Sequence, residues 1–223
     1  GNGGDDNDGD ASGNVALLSA GQVQLNGGTN TDTYVLVGNG GHDITGNIGQ
    51  AGEATVVIGN GIDLNSGSNS RAFTQIGAGG YNVGGTIINE TFVNFEALSN
   101  TVLGGGAITM NGGTGAGTYT QIGAGGQASD GDKIGNVRVE GNGVAIASGT
   151  GGEAFAHIGS GGGIQATDGT DLGGGNVTGN TLVNAGAGAV IVDASAGSAQ
   201  AFAQIGAGGL LQDGNLDGST TVN

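Results

Sequence analysis

The stretch Thr118-Tyr119-Thr120-Gln121-Ile122-Gly123-Ala124-Gly125-Gly126 decides the fold, because the chain repeats it. Copies run from Thr33 to Gly41, Ala72 to Gly80, Ala154 to Gly162 and Ala201 to Gly209, and a degenerate copy without the aromatic runs from Ala54 to Gly61. The common pattern is small, aromatic, small, Gln-like, Ile/Val, then Gly-x-Gly-Gly. A second apolar strand precedes each full copy: Val23 to Leu25, Ile62 to Leu64, Ile108 to Met110, Val144 to Ile146 and Val190 to Val192. Each ends 12 residues before the anchor Ile or Val, or 13 in the last repeat. A third cluster fills the remainder: Ile44 to Ile48, Ile87 to Leu98, Ile134 to Val139, Val177 to Val183 and Leu216 to Val222. The anchors lie 39, 46, 36 and 47 residues apart, so length variation is confined to this third part, where insertions behave as surface loops.

Short β-branched runs bounded by Gly, Asn, Asp and Ser, with no 3.6-residue stripe, read as strands. Strands stacked by repetition are the signature of a β-solenoid. The expected fold is all-β: a glycine-rich parallel β-helix of about ten rungs if each repeat makes two turns. At ~4.8 Å per rung such a rod is roughly 50 Å long. Residues 1–19 read as an acidic, Gly/Asp-rich amino-terminal segment or cap, and 20–223 as one solenoid of about five two-turn repeats.

Composition agrees with that reading. The 223 residues include 56 glycines, no proline and no cysteine. Collagen requires glycine at every third position with abundant proline, and a Gly/Ser linker would lack the 35% of hydrophobic residues present here. Glycines serve corners where the backbone takes positive φ. Proline would delete a ladder donor from a strand bonded on both edges. Three Lys and Arg against 19 Asp and Glu give a net charge of -16. That surface excludes nucleic acid and anionic lipid as partners, since both are bound through basic clusters. No apolar run approaches a membrane span. Gly1 to Gly13 carries no signal-peptide pattern, and the missing initiator Met leads us to expect a processed product or a segment of something longer.

At Tyr119 to Gly126 and its copies the sequence resembles the repeats of very large bacterial exoproteins of the filamentous haemagglutinin type. Segments such as Gly106 to Met110 and Gly135 to Val139 extend the resemblance over most of residues 20–223. It implies a secreted or surface-displayed right-handed β-helix, an adhesin or matrix component exported by a two-partner or autotransporter route.

The aromatic slot holds Tyr34, Phe73, Tyr119, Phe155 and Phe202, and shares a strand face with Gln75, Gln121 and Gln204. Two arrangements are open. Burying the aromatics gains ~2–3 kcal/mol each but requires an internal amide ladder. Exposing them creates an external stripe suited to lateral association or adhesion. Calcium is the cofactor to consider: Asp213, Asn215 and Asp217 have the oxygen-ligand spacing of a calcium loop, Asp5, Asp6, Asp8 and Asp10 form a weaker cluster, and Asp130-Gly131-Asp132 is weaker again. Against this, Asp, Asn and Gly are ordinary turn formers. His42 and His157 occupy unrelated slots, and each is expected to face solvent or fill a ladder.

The expected function is that of an extracellular, cell-surface structural or adhesive repeat protein. Its partners would be further copies of itself, in a filament, sheath or matrix, or a ligand on a host or neighbouring cell. Two alternatives come from other classes. A polysaccharide-active β-helix enzyme would need a convergent acid pair or a basic residue, and only Arg71, Lys133 and Arg138 are available. An ice-binding solenoid would need a continuous Thr plane, whereas Thr31, Thr33, Thr118 and Thr120 form isolated pairs.

Overall fold

In a computed structural model of the chain, residues 1–94, 106–163, 174–210 and 214–223 are described. Residues 95–98 of the third apolar cluster and Asp213 lie outside this set. Among the described residues there are 26 strands and no helix, and the strands form five parallel sheets. Sheet one contains Val15–Leu18, Ala54–Ile58, Glu90–Val93, Val137–Glu140, Thr181–Asn184 and Thr220–Val222. Sheet two contains Val23–Asn26, Ile62–Asn65, Ile108–Asn111, Val144–Ala147 and Val190–Asp193. Sheet three carries the aromatic strands Tyr34–Val37, Phe73–Ile76, Tyr119–Ile122, Phe155–Ile158 and Phe202–Ile205. Sheet four contains Asp5–Asn7, Gly40–Ile44, Gly79–Val83, Gly125–Gln127, Gly161–Gly163 and Gly208–Gly209. Sheet five contains Ile87–Ile88, Lys133–Ile134, Val177–Thr178 and Leu216–Asp217, extended toward the amino terminus by bridges from Ile87 to Ile48 and from Ile48 to Ala11.

The parallel solenoid is therefore present, but each repeat makes one turn rather than two. Val23 pairs with Ile62, Ile62 with Ile108, Ile108 with Val144, and Val144 with Val190, so every strand stacks on its own counterpart one repeat away. Five to six rungs follow, not ten, and the rod is roughly 25 Å long at ~4.8 Å per rung. The two-turn reading took each turn as about twenty residues. Five short strands and their corners use a whole repeat instead. The amino-terminal segment contributes strands to the solenoid: Asp5–Asn7 pairs with sheet four and Val15–Leu18 with sheet one.

Side-chain alternation divides the interior. Sheets one, two and three send Val57, Val93, Val139, Ile62, Leu64, Ile108, Met110, Ile76, Ile122 and Ile158 into one core. Sheet four turns back over the other face of sheet three, which is why all four residues of Phe73–Ile76, Tyr119–Ile122 and Phe155–Ile158 are buried. Between these sheets lies the aromatic cluster of Phe73, Tyr119, Phe155 and Tyr81, and a smaller aliphatic cluster joins Ile44 and Val83 of sheet four and Ile48 and Ile87 of the sheet-five column to the corner residues Ala78 and Ala124.

The fold-back depends on glycine. Gly79 and Gly125 have φ of 130° and 128°, a region that L side chains rarely adopt. A Cβ on Gly79 would overlap the carbonyl of Gly125, and one on Gly125 the carbonyl of Gly161. In this conformation the side-chain position points along the solenoid axis into the neighbouring rung. The Gly-x-Gly-Gly motif is thus a glycine column inside a sheet as well as a corner.

Candidate functional site

The aromatic column is interior. Phe73, Tyr119 and Phe155 are fully buried, and the terminal members Tyr34 and Phe202 are half-buried. Successive rings stack at 5.0, 4.8, 4.7 and 4.8 Å with interplanar angles below 10°. An external stripe of aromatics and glutamines does not form, because sheet four covers this face. The amide ladder that burial demands is present. Gln75 Nε2 donates to the carbonyls of Ala78, Gly123 and Gly125 at 3.0–3.2 Å, and Gln121 Nε2 to those of Ala124, Gly159 and Gly161 at 3.0–3.3 Å. Gln204 Nε2 donates to Ala207. Each amide bonds its own corner and the next turn, so the column acts as an internal clamp.

His157 takes the glutamine position in its turn. Its Nε2 lies 2.6 Å from the Gly206 carbonyl, while Nδ1 is buried without a hydrogen bond. Burial pushes its pKa down from 6.5 to about 4, opposed by the Gly206 bond. This histidine fills a ladder, one of the two roles expected for it. Burial also holds the Tyr119 phenol well above its ordinary value, against the bond it makes to the Gln127 backbone.

The acidic corner residues form hydrogen-bond ladders along the outside. Asp10 Oδ1 accepts the Asn47 N–H, Asn47 Oδ1 the Thr86 N–H, Asp132 Oδ1 the Asn176 N–H, and Asn176 Oδ1 the Asn215 N–H, at 2.7–3.1 Å. A second ladder passes from Glu90 Oε2 to the Asn136 N–H, from Asn136 Oδ1 to the Asn180 N–H, and from Asn180 Oδ1 to the Ser219 N–H, at 2.8–3.1 Å. Of the residues read as candidate calcium ligands, Asp10 and Asp132 each accept from the backbone of the next turn, and Asn215 donates its N–H to Asn176. Asp8 accepts from Thr45, Asp6 takes a positive φ of 51°, and Asp217 sits exposed on sheet five opposite Thr178.

Asp5 instead meets His42 and Asp43. Their ligand atoms lie within 4.8 Å of one another, the one such group of three or more His, Cys, Asp or Glu among the described residues. Sequence reading paired neither acid with His42, since Asp5 and His42 are brought together only by the sheet-four register. Lys133, one of the three basic residues, is buried and donates to the carbonyls of Ser129 and Gly174. Arg71 pairs with Asp32, and Thr118 and Thr120 are buried, so neither a free basic centre at Arg71 nor an exposed threonine plane at those positions is formed.

Exposed large apolar side chains concentrate on the last turn. Val190, Val192, Leu216 and Val222 are 36–57% exposed, yet they occupy the columns of Val144, Ile146, Val177 and Val183, all buried one turn earlier. The edge also carries backbone. Val23, Ile62, Ile108 and Val144 each donate N–H to a carbonyl of the following turn, and Val190 occupies the same place at the edge. No helix among the described residues is long and apolar enough to cross a membrane. Comparison with protein-family models, curated proteins and solved structures returns no match to this chain.

Proposed function

We propose that this chain is a structural, self-associating element of an extracellular or cell-surface assembly, as expected for the exoprotein repeats its motif resembles. Its work is mechanical: it bears load along stacked ladders and is extended by adding turns at its ends. The observation that supports this reading is the register of the last described turn, where Val190–Asp193, Phe202–Ile205 and Thr220–Val222 present core columns and strand edges together in the order of every earlier turn. A second copy is a chemically suitable occupant. Its first turn offers half-buried Leu17, Tyr34, Val35 and Val37 in the columns of Val222, Phe202, Ala203 and Ile205. Strand addition of this kind gains main-chain hydrogen bonds together with apolar burial. The net charge of -16 opposes it at low ionic strength and keeps single rods soluble. Electron microscopy of the purified chain, with and without chelator, tests the reading. Rods many coil lengths long support it, and compact single coils at every concentration count against it. Loss of the rods on chelation would assign calcium the role of screening the acidic surface.

A further inference from the structure

We propose that His42, Asp5 and Asp43 form a site for a borderline first-row divalent cation, Zn2+ being the probe of choice, that staples the first turn of the solenoid to the second. The site is built from register. Asp5 and His42 are partners in adjacent strands of sheet four, so their side chains leave the sheet on the same side. Asp43, next in sequence, would ordinarily point to the opposite face. Its positive φ of 54° interrupts the alternation, and Asp43 Oδ2 lies 3.0 Å from His42 Nδ1. Asp5 Oδ1 lies 3.2 Å from the same nitrogen.

The His42 side chain is only 10% exposed, and Nδ1 is buried without a hydrogen bond although two carboxylate oxygens lie within 3.2 Å. Neither oxygen is placed as a hydrogen-bond acceptor for that nitrogen. The separations instead match the edge of a coordination polyhedron: ligands about 2.0–2.1 Å from a tetrahedral ion are about 3.3 Å apart. The far side of the ring is also arranged for metal binding. His42 Nε2 is 3.2 Å from Asp32 Oδ1, which favours the tautomer with a free lone pair on Nδ1. Asp32 is in turn held by Arg71, and Asn82 Nδ2 donates to Asp43 Oδ1 at 2.6 Å, leaving Oδ2 turned to the histidine. Tyr81 stacks on the imidazole at 4.9 Å. One nitrogen and two carboxylates, with no thiolate, select Zn2+, Ni2+ or Co2+ over Ca2+, which prefers an all-oxygen shell. Asp5 is 71% exposed, so the remaining coordination positions open to water.

Isothermal titration of the full chain with ZnCl2 in a non-chelating buffer near neutral pH tests the proposal. One Zn2+ per chain is expected, with saturable binding, a raised melting temperature, and no comparable binding of CaCl2. His42→Phe keeps the ring stack on Tyr81 and should weaken binding at least ~100-fold, while Asp32→Asn, outside the ligand set, should weaken it ~10–100-fold. Asp5→Asn, at an exposed edge position, provides a ligand variant with little risk to folding and should also weaken Zn2+ binding. Co2+ should give visible bands with wild type that disappear in His42→Phe. The proposal is overturned by the absence of saturable Zn2+ binding, as expected if His42 does no more than pair with its neighbouring carboxylates. Unchanged binding in His42→Phe or Asp5→Asn, or equal competition by Ca2+, would overturn it as well.

Discussion

Replacing His157 with glutamine restores the side chain that Gln75, Gln121 and Gln204 place in this column, and its effect on stability should depend on pH in a calculable way. In the folded chain burial holds the imidazole at a pKa of about 4, against 6.5 in the unfolded chain. Below pH 6.5 the unfolded chain takes up a proton that the folded chain refuses until about pH 4. Stability contributed by the neutral histidine is therefore fully present above 6.5 and is lost as pH falls toward 4. At about 1.36 kcal/mol per pKa unit, the loss across that interval approaches ~3 kcal/mol. Glutamine does not titrate, so His157→Gln should lack this component, and the difference between the two proteins isolates it. At neutral pH the variant should match or exceed wild type. Gln121 makes three donor contacts where His157 makes one, and each net hydrogen bond is worth ~1 kcal/mol. Urea denaturation of both proteins at intervals between about pH 4 and pH 7.5 gives the difference directly. Parallel stability curves, differing by a constant across the whole range, would refute the buried-ladder account of this residue.

Two further substitutions probe the packing. Phe155→Ala removes a fully buried ring stacked between Tyr119 and Phe202 and should cost ~3–5 kcal/mol in urea unfolding; a cost below ~0.5 kcal/mol would place the column on the surface. Gly125→Ala, which adds only a methyl group, should prevent cooperative folding or lower the melting temperature sharply, as followed by circular dichroism, because the new Cβ meets the Gly161 carbonyl at a φ of 128°.

The repeat and its strands were legible from Tyr119 to Gly126 and the apolar runs around it, because each turn writes the same pattern once. The number of turns was misread, although the sequence held a signal. A two-turn repeat would separate successive aromatics by about 9.6 Å, too far for rings to stack, and the aromatics between Phe73 and Tyr119 are Tyr81 and Phe92, which belong to other columns, and Phe95, which lies outside the described residues. Which face of the aromatic strand was buried could not be decided from alternation. Sheet three is covered on both faces, an outcome that a simple in/out assignment does not contain. The oxygen donors of Asn and Asp that suit a cation also serve backbone ladders, and only register shows that Asp10 faces the N–H of Asn47. For the same reason the His42 cluster was invisible, since its first ligand comes from a strand one turn earlier.

Extension of the last described turn by a second copy is tested by sedimentation velocity of wild type and Val192→Lys over a range of protein and salt concentrations. Val192 faces the core column at the exposed edge, so the substitution puts a charge into the proposed junction while costing the isolated rod little. The account predicts concentration-dependent end-to-end oligomers for wild type, strengthened by salt as the -16 charge is screened, and monomers for Val192→Lys. Wild type that remains monomeric under every condition, or oligomers that persist unchanged in Val192→Lys, would contradict it.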